Sequence, residues 1–407
     1  MTTPWVDAAI DSIEMRRAGP DLLALALMDA RNHTLNLFSH YETALAAADF
    51  RVPLQSELNP PLWELGHIAW FQEWWIGRNS QRHWGSGCQP AVERSACLLA
   101  QADRWWDSSN VAHDSRWALG LPDLAATKAY LQTSLDITLE LLEPTPHEDD
   151  ALYFYRLALF HEDMHGEALI CMAQTLGFTL DLVGPQSTAP RPPIGLPAQR
   201  WQLGSPAASG FIFDNEKSLH EVVVPEFEID AQAVNWSQFA EFVQDGGYDR
   251  PELWNSRGWD WLQGKQVPRH VAQIGGTAVI QTRFGQERRM AGNQAASHLS
   301  WWEADAWCRW AGRRLPTEVE WELAAHKAER SGFRWGEVWE WTGSSFQPYP
   351  GFVADPYLDY SQPWFGSHRV LRGGSWATRA RMKSAKYRNF YLSERNDIFS
   401  GFRSCSL

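Results

Sequence analysis

The sequence predicts a two-part chain, an all-α domain followed by an irregular α+β domain. Three observations carry that reading: four long amphipathic segments between residues 20 and 180, a proline-rich tract at 184–200, and beyond it short strand-like stretches rich in glycine and tryptophan. A length of 407 residues exceeds one ordinary hydrophobic core, which fits two or three domains. The expected division is a helical domain over 1–183, a linker over 184–200 and a second domain over 201–407.

The first segment, DLLALALMDARNHTLNLFSHYETALAAA, follows Pro20 and repeats apolar residues at three- and four-residue spacing, the period of one helix face. The second, PPLWELGHIAWFQEWWIGRN, opens on prolines, which suit a first helical turn because the N–H they lack would be unpaired there anyway. The third, LPDLAATKAYLQTSLDITLELLE, stops before Pro144, and the fourth runs from the acidic pair Asp149 and Asp150 to Gly177, a helix-ending glycine. Four such helices imply a four-helix bundle with one long connection, residues 80–122. The tract GPQSTAPRPPIGLPAQR has no apolar period and reads as a linker. Past it, WEADAWCRWAG and TEVEWELAAHKAE are brief helical pieces in a strand-rich texture.

A formal charge of −13 opposes a nucleic-acid or anionic-membrane surface, since phosphate binding relies on excess Lys and Arg. The opening stretch MTTPWVDAAIDSIEMRRAGP has no apolar leader core, and the apolar runs elsewhere fall short of a membrane span. The expected setting is the cytoplasm, with small-molecule partners and neither nucleic acid nor membrane. Five cysteines form no CxxC pair and leave an odd count, so reduced thiols are expected rather than a disulfide framework. The 24 tryptophans supply rigid aromatic surface suited to a walled ligand cavity, although core filling explains most of them individually.

The fourth segment carries HEDMH. As a bare H-E-x-x-H pattern it is the zinc-hydrolase signature, with Glu162 as base. His161 and His165, four residues apart on one helix, leave the same face and can share one ion. His67, within the apolar stripe of the second helix, is the expected third ligand, because bundles hold metals through inward side chains of facing helices. Glu162 or Asp163 could orient an imidazole from behind, whereas Glu167 points to another face. His33 and His40 read as surface or core histidines. Three imidazoles suit zinc, iron, copper and nickel alike and leave positions open for substrate. A bundle interior is a poor cleft for a peptide, which weakens the hydrolase reading.

The second half contains SHLSWWEADAWCRWAGRRLPTEVEWELAAH, GEVWEWTGSSF, HRVLRGGSW and SGFRS. These resemble the formylglycine-generating-enzyme or sulfatase-modifying-factor fold, a variant of the C-type-lectin architecture, over nearly all of 200–407. The paired copper-binding cysteines of formylglycine-generating enzymes have no counterpart, since only Cys308 and Cys405 occur there. Preceded by a DinB-like bundle with the pattern H...HxxxHxE at His67, His161, His165 and Glu167, the whole chain resembles the nonheme iron sulfoxide synthases, the family of the ergothioneine and ovothiol synthases.

That resemblance implies Fe(II) on His67, His161 and His165, O2 as co-substrate, and formation of a C–S or C–Se bond to the imidazole of hercynine. It implies Tyr357 as proton or hydrogen-atom donor, with Tyr349 as a competing candidate, and Tyr360 as a wall of the hercynine pocket. Asn389 would contact the imidazole, Phe390 would pack on the trimethylammonium, and Arg395 would bind the donor. Tyr391 stands where the mycobacterial-type synthases carry an acidic donor-binding residue, and Met164 where they carry a hercynine-contacting glutamine. These departures resemble the selenoneine-forming branch, which takes a selenosugar, rather than the branches using cysteine or gamma-glutamylcysteine. A noncatalytic lectin-like binding protein is the remaining alternative.

Overall fold

The structure is a computed structural model that describes residues 8–206, 210–275 and 278–407; residues 1–7 of the opening stretch, with 207–209 and 276–277, lie outside the described residues. Four long helices build the first half: α1 (Pro20–Leu45), α2 (Pro61–Gln72), α3 (Leu124–Leu142) and α4 (Asp149–Leu176). Proline opens α1 and α2, the Asp123 carboxylate caps α3 by accepting from the Ala126 amide at 2.8 Å, and Gly177 ends α4 at φ 78°. A π-helical turn, Glu73–Gly77, prolongs α2.

Helix α1 packs on α4 and α2 on α3, burying residues such as Leu23, Leu27, Phe38, Leu131, Leu152 and Leu159. The long connection is ordered around a short helix, Ala102–Trp106, that lays Trp106 on α2. This contact needs glycine at 66: a Cβ there would stand 2.0 Å from Cε2 of Trp106.

The second half contains β1 (Ile194–Leu196), β2 (Gln199–Leu203), β3 (His220–Val224), β4 (Phe227–Ile229), β5 (Val271–Gly275), β6 (Ala278–Arg283), β7 (Gln286–Met290), β8 (Trp339–Ser345), β9 (Arg369–Arg372), β10 (Asn389–Tyr391) and β11 (Ser400–Phe402). Strands β1 and β4 pair, as do β2 and β3, and β5–β6–β7 form a meander. The tract expected as a linker up to residue 200 therefore ends in structure, because Ile194 and Leu196 find antiparallel partners in Ile229 and Phe227, far downstream.

The main sheet runs β10–β9–β8–β11, with β11 parallel to β8 and the other pairs antiparallel. The motifs GEVWEWTGSSF, HRVLRGGSW and SGFRS thus lie side by side in space. Gly373 and Gly374 take φ of 96° and 83° after β9, a left-handed turn that suits glycine and carries the chain to Ser375 and Thr378.

One apolar cluster continues through both halves, and ion pairs stitch the seam. The carboxylate of Asp163 on α4 accepts two 2.7 Å bonds from Arg381, which also reaches Asp29 of α1 at 2.8 Å. Arg16 grips Glu216 at 2.6 and 3.1 Å, and Tyr153 donates to Asp355 at 2.8 Å. No described helix is long and apolar enough to cross a membrane.

Candidate metal centre and substrate cavity

Helix α2 delivers His67 and α4 delivers His161 and His165 to one point, where one ligand atom from each lies within 4.8 Å of the others. Nε2 of His161 and Nε2 of His165 are 3.2 Å apart. Two nitrogens bound to one ion at about 2.1 Å and a right angle stand about 3 Å apart, so this spacing fits a shared metal.

The opposite ring nitrogens of His67 and His165 are anchored. Nδ1 of His67 lies 2.8 Å from the Trp106 carbonyl, and Nδ1 of His165 lies 2.5 Å from Oε2 of Glu64. Each anchor leaves Nε2 for the ion, the arrangement by which protein metal sites orient imidazoles. Burial, reinforced by the neighbouring His165, lowers the pKa of His67 to about 3; burial, then His165 and His67, pushes His161 well below the usual histidine range. Both rings therefore stay neutral, with lone pairs free for a metal. Phe71 stacks on His161 at 3.5 Å between centroids and Trp63 on His67 at 4.8 Å, fixing the ring planes.

The nearby carboxylates of α4 are committed elsewhere. Glu162 is held by Arg31, Asp163 by Arg381, and Glu167 accepts from Trp339 Nε1 at 2.9 Å, Ser375 Oγ at 2.6 Å and Thr378 Oγ1 at 2.7 Å. The expectation that Glu162 or Asp163 orients an imidazole is thus corrected: Glu64 does so. The sequence held a signal for it, an acid one helical turn before His67 within a buried stripe. His33 and His40 lie outside the cluster.

A cavity of about 230 Å³ opens between α4 and β10. Of the residues expected around substrate, Met164, Asn389, Tyr391 and Arg395 line it, joined by Glu64 and Tyr387, both unforeseen. His165, with 18% of its side chain accessible, is the exposed member of the cluster, whereas His67 and His161 are sealed. Tyr387 ties the expected residues together: Tyr360 donates its hydroxyl to that of Tyr387 at 3.3 Å, and the Tyr387 hydroxyl lies 3.5 Å from the Met164 sulfur.

Tyr357, Tyr360 and Phe390 are not in the cavity lining. Tyr357 meets Phe71 edge-on at 5.1 Å, and its ring centre is 6.4 Å from that of His161; burial raises its pKa above the usual tyrosine value. Tyr360 stacks on Phe213 at 4.6 Å. Phe390 stacks on Phe346 at 4.1 Å, because successive residues of a strand face opposite ways and Asn389 and Tyr391 take the cavity side. Arg395 forms a two-pronged pair with Asp397 at 2.6 and 2.7 Å and lies 4.9 Å over the Tyr391 ring. Tyr349 is engaged by Glu318 at 3.1 Å and Arg372 at 3.2 Å.

Residues 186–337 and 333–406 match the family of the sulfatase-modifying factor enzyme 1-like domain. A hercynine oxygenase of Mycolicibacterium smegmatis is 30% identical over 439 aligned residues, spanning 94% of this chain and 98% of the relative. The hercynine oxygenase of Mycobacterium tuberculosis is 31% identical over 437 residues, again with 94% and 98% covered. A formylglycine-generating enzyme of Streptomyces coelicolor is 29% identical over 258 residues, covering 47% of this chain and 80% of that enzyme.

Proposed function

This chain belongs to the family of the hercynine oxygenases, and we propose that it is an Fe(II)- and O2-dependent synthase joining hercynine to a selenosugar donor. The observation that carries the reading is the convergence of His67, His161 and His165 behind Glu64, the anchor of His165, which lines a cavity that both halves complete; the three histidines themselves stand outside that lining. Iron held there supplies redox chemistry with O2 and keeps coordination positions open beyond the three imidazoles. In the overall reaction the imidazole C–H and the selenol Se–H are replaced by a C–Se bond, their hydrogens leave in water with one oxygen atom, and the other oxygen ends on selenium as the selenoxide.

In this reading Asn389, Met164 and Tyr360 position hercynine, Tyr360 acting through its hydroxyl contact with Tyr387, and Phe390 backs the strand. Tyr391 and Arg395 line the donor side. Tyr357, beside His161, holds a proton for transfer, its hydroxyl kept neutral by burial. The five free cysteines agree with a reducing, cytoplasmic setting.

Aerobic mass spectrometry of Fe(II)-loaded protein given hercynine with selenosugar, cysteine and gamma-glutamylcysteine in competition, beside an anaerobic control, tests the proposal. An oxygen-dependent adduct with the selenium isotope pattern is expected. A sulfur adduct would move the donor to a thiol, and absence of any oxygen-dependent product would overturn the synthase reading.

A further inference from the structure

One guanidinium reaches two of the three clustered histidines by separate routes. Arg116 sits in the turn His113–Ala118 of the long connection. That turn is pinned beside the start of α2, where Nε2 of His113 lies 2.8 Å from the Leu58 carbonyl and Trp117 Nε1 donates to the Val52 carbonyl at 2.8 Å.

The first route is stacked. The guanidinium carbon of Arg116 stands 3.8 Å from the centre of the Trp63 ring, and Trp63 lies on the His67 ring at 4.8 Å with 9° between their planes. Both groups cannot share one face, so the indole is sandwiched between cation and imidazole. The second route is hydrogen-bonded. Arg116 Nη1 donates to Asn59 Oδ1 at 2.8 Å, Asn59 Nδ2 donates to Glu64 Oε1 at 2.6 Å, and the other oxygen of Glu64 holds His165.

The acceptors that Arg116 bonds are neutral: Asn59 and, at 3.4 Å, the Val111 carbonyl. A half-buried cation that bonds no carboxylate directly is a local cost to the fold, and arginine keeps its charge at any pH a protein tolerates. That charge acts on His67, Glu64 and the Tyr357 hydroxyl alike.

Electrostatics gives the direction of the effect. A carboxylate bonded to the far nitrogen of a ligating imidazole makes the ring a stronger electron donor, which favours the more oxidised metal. The Asn59 amide and the Arg116 charge behind it draw the negative charge of Glu64 away from His165. The same cation repels the additional positive charge of Fe(III).

We propose that Arg116 is a positioning residue whose fixed positive charge, set behind Trp63 and Glu64, holds the resting iron toward its ferrous state. The inference rests on the reading that the site takes iron. Its test titrates iron-loaded, full-length wild type, Arg116→Met, Arg116→Gln and Arg116→Lys with redox mediators under argon, reading Fe(III) by electron paramagnetic resonance.

At the wild-type midpoint potential the ratio of Fe(III) to Fe(II) is expected to rise about tenfold in the two neutral variants, the effect of a unit charge roughly 10 Å away at an effective dielectric constant of about 20. Arg116→Lys, which keeps the charge, stays close to wild type. Should Arg116→Met not fold, Arg116→Gln, which can still donate to Asn59, carries the comparison. A ratio in Arg116→Gln equal to that of wild type would overturn the tuning role, and so would an equal rise in Arg116→Lys, since charge would then not be the cause. A wild type that takes up no iron would overturn the iron reading and this inference with it.

Discussion

Arg31 grips both carboxylate oxygens of Glu162, with Nε 2.8 Å from Oε1 and Nη2 3.2 Å from Oε2. The pair is buried in the bundle, where Arg31 also bonds Gln72 at 3.0 Å and the Leu131 carbonyl. The residue that a zinc hydrolase would use as base is therefore a structural anion linking α4 to α1, α2 and α3. Glu162→Ala should cost about 3–5 kcal/mol of stability, because it strands the Arg31 charge. Denaturant unfolding reads the loss, and metal analysis of the folded fraction should still find iron. Full stability combined with abolished turnover would return Glu162 to the chemistry.

Metal retention divides the histidines from their anchors. His161→Ala or His165→Ala should abolish stoichiometric iron, whereas Glu64→Gln should only weaken it, by about 10–100-fold, because the anchor sets ring orientation without being a ligand. Iron titration of the purified variants checks the ranking. Equal affinity in Glu64→Gln and wild type would remove that carboxylate from the site.

Gly66→Ala pits two effects of opposite sign. Helix propensity favours alanine by about 1 kcal/mol. The new methyl would collide with Trp106, whose carbonyl anchors His67, and overpacking costs about 1–3 kcal/mol. A net loss of stability with weaker iron binding is expected, measured by thermal unfolding with and without Fe(II).

Tyr357→Phe keeps the ring that packs on Phe71 and removes only the hydroxyl. Fold and iron content should persist while turnover slows or shifts toward oxidised donor. An unchanged rate and product ratio would exclude a role for that hydroxyl.

Asp214 gives a pH signature. Its Oδ1 accepts from the Ser361 hydroxyl; burial, with the Asp355 charge adding to it, pushes its pKa up to about 6. A carboxyl whose folded pKa lies above its unfolded value near 3.9 favours the fold when protonated, so its contribution declines as pH rises from about 4 to 6 and remains a cost above that. At about 1.4 kcal/mol per unit, the cost is of order 1–3 kcal/mol. The stability of Asp214→Asn relative to wild type should thus improve between pH 4 and pH 7; a difference independent of pH would contradict the shift.

What the sequence disclosed followed the range of the interactions. His161 and His165 were legible because four-residue spacing is a property of one helix, and His67 because its surroundings are apolar on a helix of its own. The roles of Glu162, Asp163 and Glu167 were not, since helical spacing gives the face of a side chain but not what stands opposite: Arg31, Arg381 and Ser375 come from distant parts of the chain. Tyr387 escaped for the same reason, its contact with Met164 spanning 223 positions. Phe390 was expected at the substrate, but strand alternation sends it to the side opposite Asn389 and Tyr391.

Between His161 and Glu167, successive side chains of α4 serve different masters. Two face the metal point, Glu162 faces the bundle, Asp163 and Glu167 clasp the second half, and Met164 walls the cavity. Adding or deleting one residue there would rotate everything beyond it by about 100° and misdirect all these contacts together. The seven-residue stretch behaves as a key cut on several edges, open to exchange of individual teeth but closed to any change in length, so length variation compatible with activity belongs in the loops between helices.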